Sequence, residues 1–437
     1  MTTPAPAQVL SPSQILGLRL RRWTKILAAY FTAQTVTQLA GIGAGLLFVR
    51  FMPLREFALY TLAFSVVTFF NFFTDLGSST SLVYFFHRSA KNAEDFQPYV
   101  RAVLSLRRLA FLAGAAGVLL VFPATAMAKS YGLGEALLIA GGILLCVWFQ
   151  IVSSLRVLAL RLADRYGRSY RAELAGGFTR LALAALLVVF ALLKSWLGVL
   201  ASAAASAVTA AWSRPEPQPG PVEPEDLRPY RRQILRYVMP SLPSALYFSI
   251  QGPLTIWLAT TFGSTRNIAE VGALGRLGMI VGIFSNLVGV VFLPRLARVA
   301  DEQRYRERYL QFGALLLGVA LAMMTAAALA PEALLWLLGP HYAGLHRELL
   351  LVVGSSGLML LGGYAVSVNL ARSWNRWEGL AVVLLVAAQA GLVAVLPLGT
   401  TGGVLLFNLL SAAVGLILQL VIALGGFTRP EWVRWMT

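Results

Sequence analysis

Charge is scarce in this chain. Only 13% of its 437 residues are Asp, Glu, Lys or Arg, while 58% are hydrophobic; soluble domains carry roughly 25% charged residues, so an ordinary soluble fold is excluded. Cysteine is nearly absent too. A lone Cys146 rules out an intramolecular disulfide, and its place inside an apolar run points to packing. The three histidines, His87, His341 and His346, fall in connections between apolar runs. Neither a GxxxxGK[ST] phosphate loop nor an HExxH pair occurs, so neither ATP hydrolysis nor that zinc chemistry is indicated, and no cofactor is expected. Residues 1–25 lack the apolar centre of a cleavable signal, and the first apolar run is too long to be one. It reads as a retained first span.

What the chain has instead is a series of apolar runs of about 18 residues or more, long enough to cross a hydrocarbon layer of ~30 Å. Twelve are expected: 26–49, 57–76, 109–127, 133–155, 174–193, 195–212, 237–262, 271–293, 310–330, 349–370, 379–397 and 402–425. Acids are outnumbered, 19 against 36 Lys plus Arg, for a net charge of +17. In a soluble chain that excess suggests nucleic acid. Here it sorts by side of the membrane. With the N-terminus placed in the cytoplasm, 29 of the 36 basic residues fall in the termini and even-numbered connections and 7 in the odd-numbered ones, the asymmetry that the positive-inside rule describes. Both termini are therefore expected in the cytoplasm, with the basic connections facing anionic headgroups.

The polar, proline-rich stretch 213–233, "SRPEPQPGPVEPEDLRPYRRQ", reads as a cytoplasmic linker. It divides the chain into an N-terminal six-helix lobe (1–212) and a C-terminal one (234–437). The halves echo each other: "GLLFVRFMPLREFALYTLAF" and "TIWLATTFGSTRNIAEVGALGRLG" each hold a span, a short turn and a span, with Glu56 and Glu270 at matching places 214 positions apart. The fold class is an all-α polytopic membrane protein, twelve transmembrane helices in two six-helix lobes around a central cavity. Such repeats commonly enclose a substrate path opened alternately to either side.

Polar groups inside spans are costly and tend to face a cavity. Thr61, Ser65, Thr68, Asn71 and Asp75 recur every three or four residues and so share one face of span 2. Gln34 and Gln38 in span 1, Tyr247 and Gln251 in span 7, and Arg276 and Asn286 in span 8 complete a set concentrated on spans 1, 2, 7 and 8. Each has a plainer reading: hydroxyls and amides glue helices, Asp75 can cap the helix begun by "DLGSST", Gly41 and Gly45 can mark close helix contact, and Arg276 can snorkel to an interface.

The order of several stretches resembles the oligosaccharidyl-lipid (polysaccharide) flippase family, within the superfamily that also holds multidrug exporters. They are "RFMPLREFALYTLAF" with "FFTDLGSS", "FLPRLARVADEQRYRERYLQF", "LLWLLGPHYAG" and "PLGTTGGVLLFNLLS". The likeness extends over nearly the full chain. Ala58 stands where many members have glycine, and Ala273 or Leu274 where a tyrosine is usual. What the resemblance implies is a bacterial inner-membrane protein, working as a monomer. It would move a polyprenyl-diphosphate-linked oligosaccharide to the outer leaflet for surface polysaccharide or O-antigen export, in partnership with polysaccharide polymerase machinery. Arg276 would hold the diphosphate, Gln34, Gln38, Asn71, Tyr247, Gln251 and Asn286 would meet the substrate, and Asp75 would serve a coupling gate. A cell-wall lipid-precursor flippase and a multidrug or cation antiporter are the alternatives; the second calls for intramembrane acids, of which this chain offers Asp75.

Overall fold

A computed structural model describes residues 33–89, 96–214, 226–239, 242–285, 301–372 and 376–428, with scattered positions in 286–300 and at 374. Among them lie twelve long helices: α1 (33–51), α2 (Leu54–Asp75), α3 (Gln97–Ala128), α4 (Leu133–Leu162), α5 (Tyr166–Val189), α6 (Ser195–Trp212), α7 (Leu242–Phe262), α8 (Thr265–Gly282), α9 (Glu302–Leu329), α10 (His346–Ala371), α11 (Glu378–Val395) and α12 (Thr401–Thr428). Each coincides with one expected span. Nine spans are, by themselves, long and apolar enough to cross a membrane. α8 is not among these nine, since it carries Arg266, Glu270 and Arg276 within 18 residues. The ends differ from expectation in both directions: α3 begins twelve residues early, where polar helix precedes the apolar run, and α8 ends at Gly282, eleven residues short.

Local chemistry fixes several ends. α2 follows Pro53 and stops where Leu76 and Gly77 turn left-handed (φ 37 and 82°). Ser264 and Asn267 form a reciprocal capping box at the start of α8. Asp301 accepts the backbone N–H of Arg304 at 2.9 Å to open α9. The linker's last residues are helical: Arg228–Val238 lays Ile234 and Val238 on the first half, with Tyr230 and Tyr237 against Tyr99 and Tyr84.

The internal echo is built into bonds. Glu56 of α2 accepts the backbone N–H of Ser195, at the start of α6, at 2.9 Å; Glu270 of α8 accepts the hydroxyl of Thr401, at the start of α12, at 2.5 Å. In both halves the same acid therefore ties its helix to the head of the sixth.

The two halves meet chiefly through α2, which packs on α7 and α8. Small residues permit the approach: a Cβ on Gly272 would fall 2.4 Å from Thr61 Cγ2. The end of the bundle that carries the odd-numbered turns is closed. Lys129 donates to the Gly263 carbonyl at 2.7 Å, and Arg50 donates to the Trp336 carbonyl with its guanidinium 4.2 Å from that ring's centre. Beside them Tyr131 donates to the Arg55 carbonyl at 2.7 Å, and burial pushes its phenol up to about 12. One apolar core joins the halves there, through Phe48, Ile268, Leu335 and Tyr342. At the even-turn end the second half closes on itself: Phe292, Tyr305, Tyr309, Tyr364, Trp374 and Phe427 form a separate core. Among the described residues, the halves are thus tied together at the odd-turn end, while the second half has a core of its own at the even-turn end.

Candidate functional site

Arg276 lies eleven residues into α8, about 16 Å from its head at 1.5 Å per residue, and Arg180 lies nine residues before the end of α5, about 14 Å from the same face. Both are near the middle of a ~30 Å apolar layer. They converge from opposite halves on one aromatic pair of α2. Arg180 Nη2 donates to Tyr60 Oη at 3.4 Å and sits 5.1 Å from the Phe64 ring centre; Arg276 sits 6.0 Å from Tyr60 and 5.9 Å from Phe64. Arg276 is 8% exposed and points at α1, where a Cβ on Gly45 would come within 3.2 Å of its Cδ. The absent side chain at Gly45 makes room for the arginine stem, whereas Gly41 meets nothing within 4 Å.

The pair is short of acceptors. Each guanidinium carries five N–H donors, yet neither forms an ion pair among the described residues, and both buried Nε atoms lack a partner. Among the described residues, Arg276 Nη1 reaches only the Met279 sulfur, at 3.9 Å. Cation–π contact offsets part of the cost of burial, on the order of 0.5–2 kcal/mol, but two like charges, Arg276 buried and Arg180 half-buried, are well placed to receive an anion.

The other sequence candidates are spread over separate places. The α2 stripe is real but changes role along its length. Thr61 packs on Gly272, Ser65 accepts from Trp257 Nε1 at 3.1 Å, and Thr68, Asn71 and Asp75 line a cavity of about 540 Å³ within the first half. There Asn71 donates to Gln150. Asp75 is paired with buried Arg107, which also reaches Ser78, Ser79 and Ser154, and it accepts the Ser79 backbone N–H at 3.2 Å. Tyr247 and Gln251 line a cavity of about 310 Å³ in the second half, bounded by α7, α10, α11 and α12. Gln251 accepts from Gln389 at 3.0 Å, and the Tyr247 hydroxyl is buried near the same Gln389. Gln34 and Gln38 are half-buried on α1. Asn286 lies outside the described residues.

Sequence reasoning missed Arg180 and Arg107, counting both with the basic connections. For Arg180 the signal was present: it interrupts the apolar run from Gly176 to Val189 much as Arg276 interrupts α8. Arg107 had none, since it precedes the apolar part of α3 and its partners come from three other segments.

No protein-family model matches this chain, and no curated protein matches it significantly. Solved structures do. The lipid II flippase MurJ in an inward closed conformation matches with a TM-score of 0.70 at 13% identity, over 90% of this chain and 87% of that one. A multidrug resistance MATE family transporter of the MOP superfamily in its inward-facing conformation matches at 0.65 and 16% identity, over 90% and 96%. An outward-facing MATE transporter matches at 0.53 and 15% identity, over 92% and 95%. The chain therefore has the fold of the MOP-superfamily transporters.

Proposed function

We propose that this chain is a transporter that moves a polyprenyl-diphosphate-linked oligosaccharide from the cytoplasmic to the outer leaflet by alternating access, serving export of a surface polysaccharide. The observation that carries the reading is the pair Arg180 and Arg276: two mid-membrane guanidinia, one from each half, with no acidic partner among the described residues. A diphosphate supplies what they lack, because a guanidinium fork bonds phosphate oxygens two at a time, at about 1.5–3 kcal/mol for each charged hydrogen bond. The lipid tail stays in the bilayer while the head crosses. The basic-residue asymmetry puts the even-turn end in the cytoplasm, so the arrangement described here faces inward, toward the leaflet where the substrate is made.

A cation antiporter fits less well. Asp75 and Glu173 are each held by an arginine, Arg107 and Arg161, and Glu378 accepts from Gln419. A cell-wall lipid precursor carries the same diphosphate and would use the same pair; the glycan separates the two readings.

The test is translocation in proteoliposomes of undecaprenyl diphosphate bearing one N-acetylglucosamine, read by its accessibility to external periodate. Arg180→Ala and Arg276→Ala should each slow it about tenfold or more, the loss of one good charged contact, while the lysine variants keep part of the rate. Undiminished transport by both alanine variants would remove the pair from the mechanism.

A further inference from the structure

The cavity of about 540 Å³ inside the first half is not part of the guanidinium pair, yet it falls within the roughly 300–1,000 Å³ of small-molecule sites. It lies in the even-turn half of the lobe, since Asp75 ends α2, Glu173 sits in the first turns of α5 and Thr209 in the last turn of α6. Its lining is unusual for a helix bundle in lipid. Hydroxyls, amides and both signs of charge face it, and the charges cancel locally: Arg107 on Asp75, and Arg161 behind the wall on Glu173 at 2.7 Å. An unpaired charge would select an ion; a neutral wall of dipoles does not. Phe72 adds an apolar face to the same wall and is 52% exposed.

We propose that this cavity is the glycan subsite, receiving the sugars of an uncharged oligosaccharide while the diphosphate is held at Arg180 and Arg276. The inference rests on the transport reading and specifies which part of the substrate is recognised where. Sugars present equatorial hydroxyls that bond planar amide, carboxylate and guanidinium edges, together with C–H faces that lie on an aromatic ring. Asn71, Gln150, Asp75 and Phe72 supply both kinds of surface, with Arg107 holding Asp75 in place. Thr68 lines the cavity and also faces Gly252 of α7, which places its edge at the boundary between the halves, the path along which the head group would pass. The subsite therefore reads the length and identity of the glycan, and the arginine pair reads only the carrier.

Two carriers separate these roles: undecaprenyl diphosphate with a single N-acetylglucosamine, and the same lipid with a neutral trisaccharide, both assayed in proteoliposomes of the full chain. The double variant Asn71→Leu/Gln150→Leu removes both amides at similar volume and leaves no orphaned partner. Phe72→Ala alters an exposed ring and keeps the test independent of core folding. Each should slow the trisaccharide carrier about tenfold, the worth of a hydrogen bond or two, and leave the monosaccharide carrier within about twofold. Arg276→Ala should slow both carriers alike. Equal slowing of both carriers by the cavity variants, or no slowing of either, overturns the subsite while leaving the transport reading intact. A wild-type chain that moves neither carrier removes both.

Discussion

At the scale of single residues, the two arginines that sequence reasoning passed over differ in surroundings, Arg107 being buried and Arg180 half-buried. Arg180 has an aromatic neighbourhood and, among the described residues, spare donors, which the proposed transport reading fills with a phosphate. Arg107 is saturated by Asp75 and three serines, which is a structural tie. Breaking a buried pair by deleting one partner costs about 3–5 kcal/mol. Asp75 keeps a third of its side chain exposed, so Arg107→Ala should fall at or below the lower end of that range. Arg107→Met with Asp75→Leu should recover part of the loss, because neither charge is then left alone. Thermal unfolding in detergent measures both; an alanine variant as stable as the double variant would show that the pair holds nothing. A positive-inside count sorts both with the basic residues of the connections, although Arg180 breaks an apolar run and Arg107 does not. The distinction lies in which side chains the fold brings to them.

At the scale of the element, α2 carries most of what was legible. Its three- and four-residue spacing of polar side chains put Thr61, Ser65, Thr68, Asn71 and Asp75 on one face, and the structure keeps them there. Their partners were not legible, because a stripe on a helix does not say whether it meets another helix or a cavity. Here it meets both. The half toward Leu54 packs on α7 and α8, and the half toward Asp75 lines open space. Gly272 sets the closeness of that packing. In Gly272→Ala the new methyl would lie 2.4 Å from Thr61 Cγ2, and overpacking of that kind costs about 1–3 kcal/mol. Thr61→Ala removes the obstructing atoms, so the pair of changes should be milder than Gly272→Ala alone, with a coupling energy of about 0.5–3 kcal/mol. Strict additivity of the two melting shifts would place the strain elsewhere. Span ends were the least legible feature. α3 runs twelve residues beyond its apolar run because Arg107, inside that extension, is buried by partners from other segments.

At the scale of the whole molecule, the two-half organisation was readable from the linker, the even split of spans and the paired glutamates, and Glu56 and Glu270 do make equivalent ties in the two halves. The conformational state was not readable, because a sequence is compatible with every state that its fold visits. In the state described here the odd-turn end is closed by few polar contacts, Arg50 on Trp336 and Lys129 on Gly263, laid over a shared apolar core. A hydrogen bond from a charged group is worth about 1.5–3 kcal/mol, and each 1.4 kcal/mol changes a population ratio about tenfold. Arg50→Ala with Lys129→Ala should therefore move the balance substantially toward a form open at the odd-turn end, without touching the guanidinium pair. The single cysteine makes the measurement clean. In a Cys146→Ala background, spin labels at Leu133→Cys and Glu332→Cys, both exposed and on opposite halves, report the width of that end. The latch variant should broaden their distance distribution toward longer values, and faster opening should come with slower return to the form described here. A distribution identical to that of the parent would mean that the apolar core alone, through Phe48, Leu335 and Tyr342, holds the halves together, and that transport is gated by packing and not by these two cations.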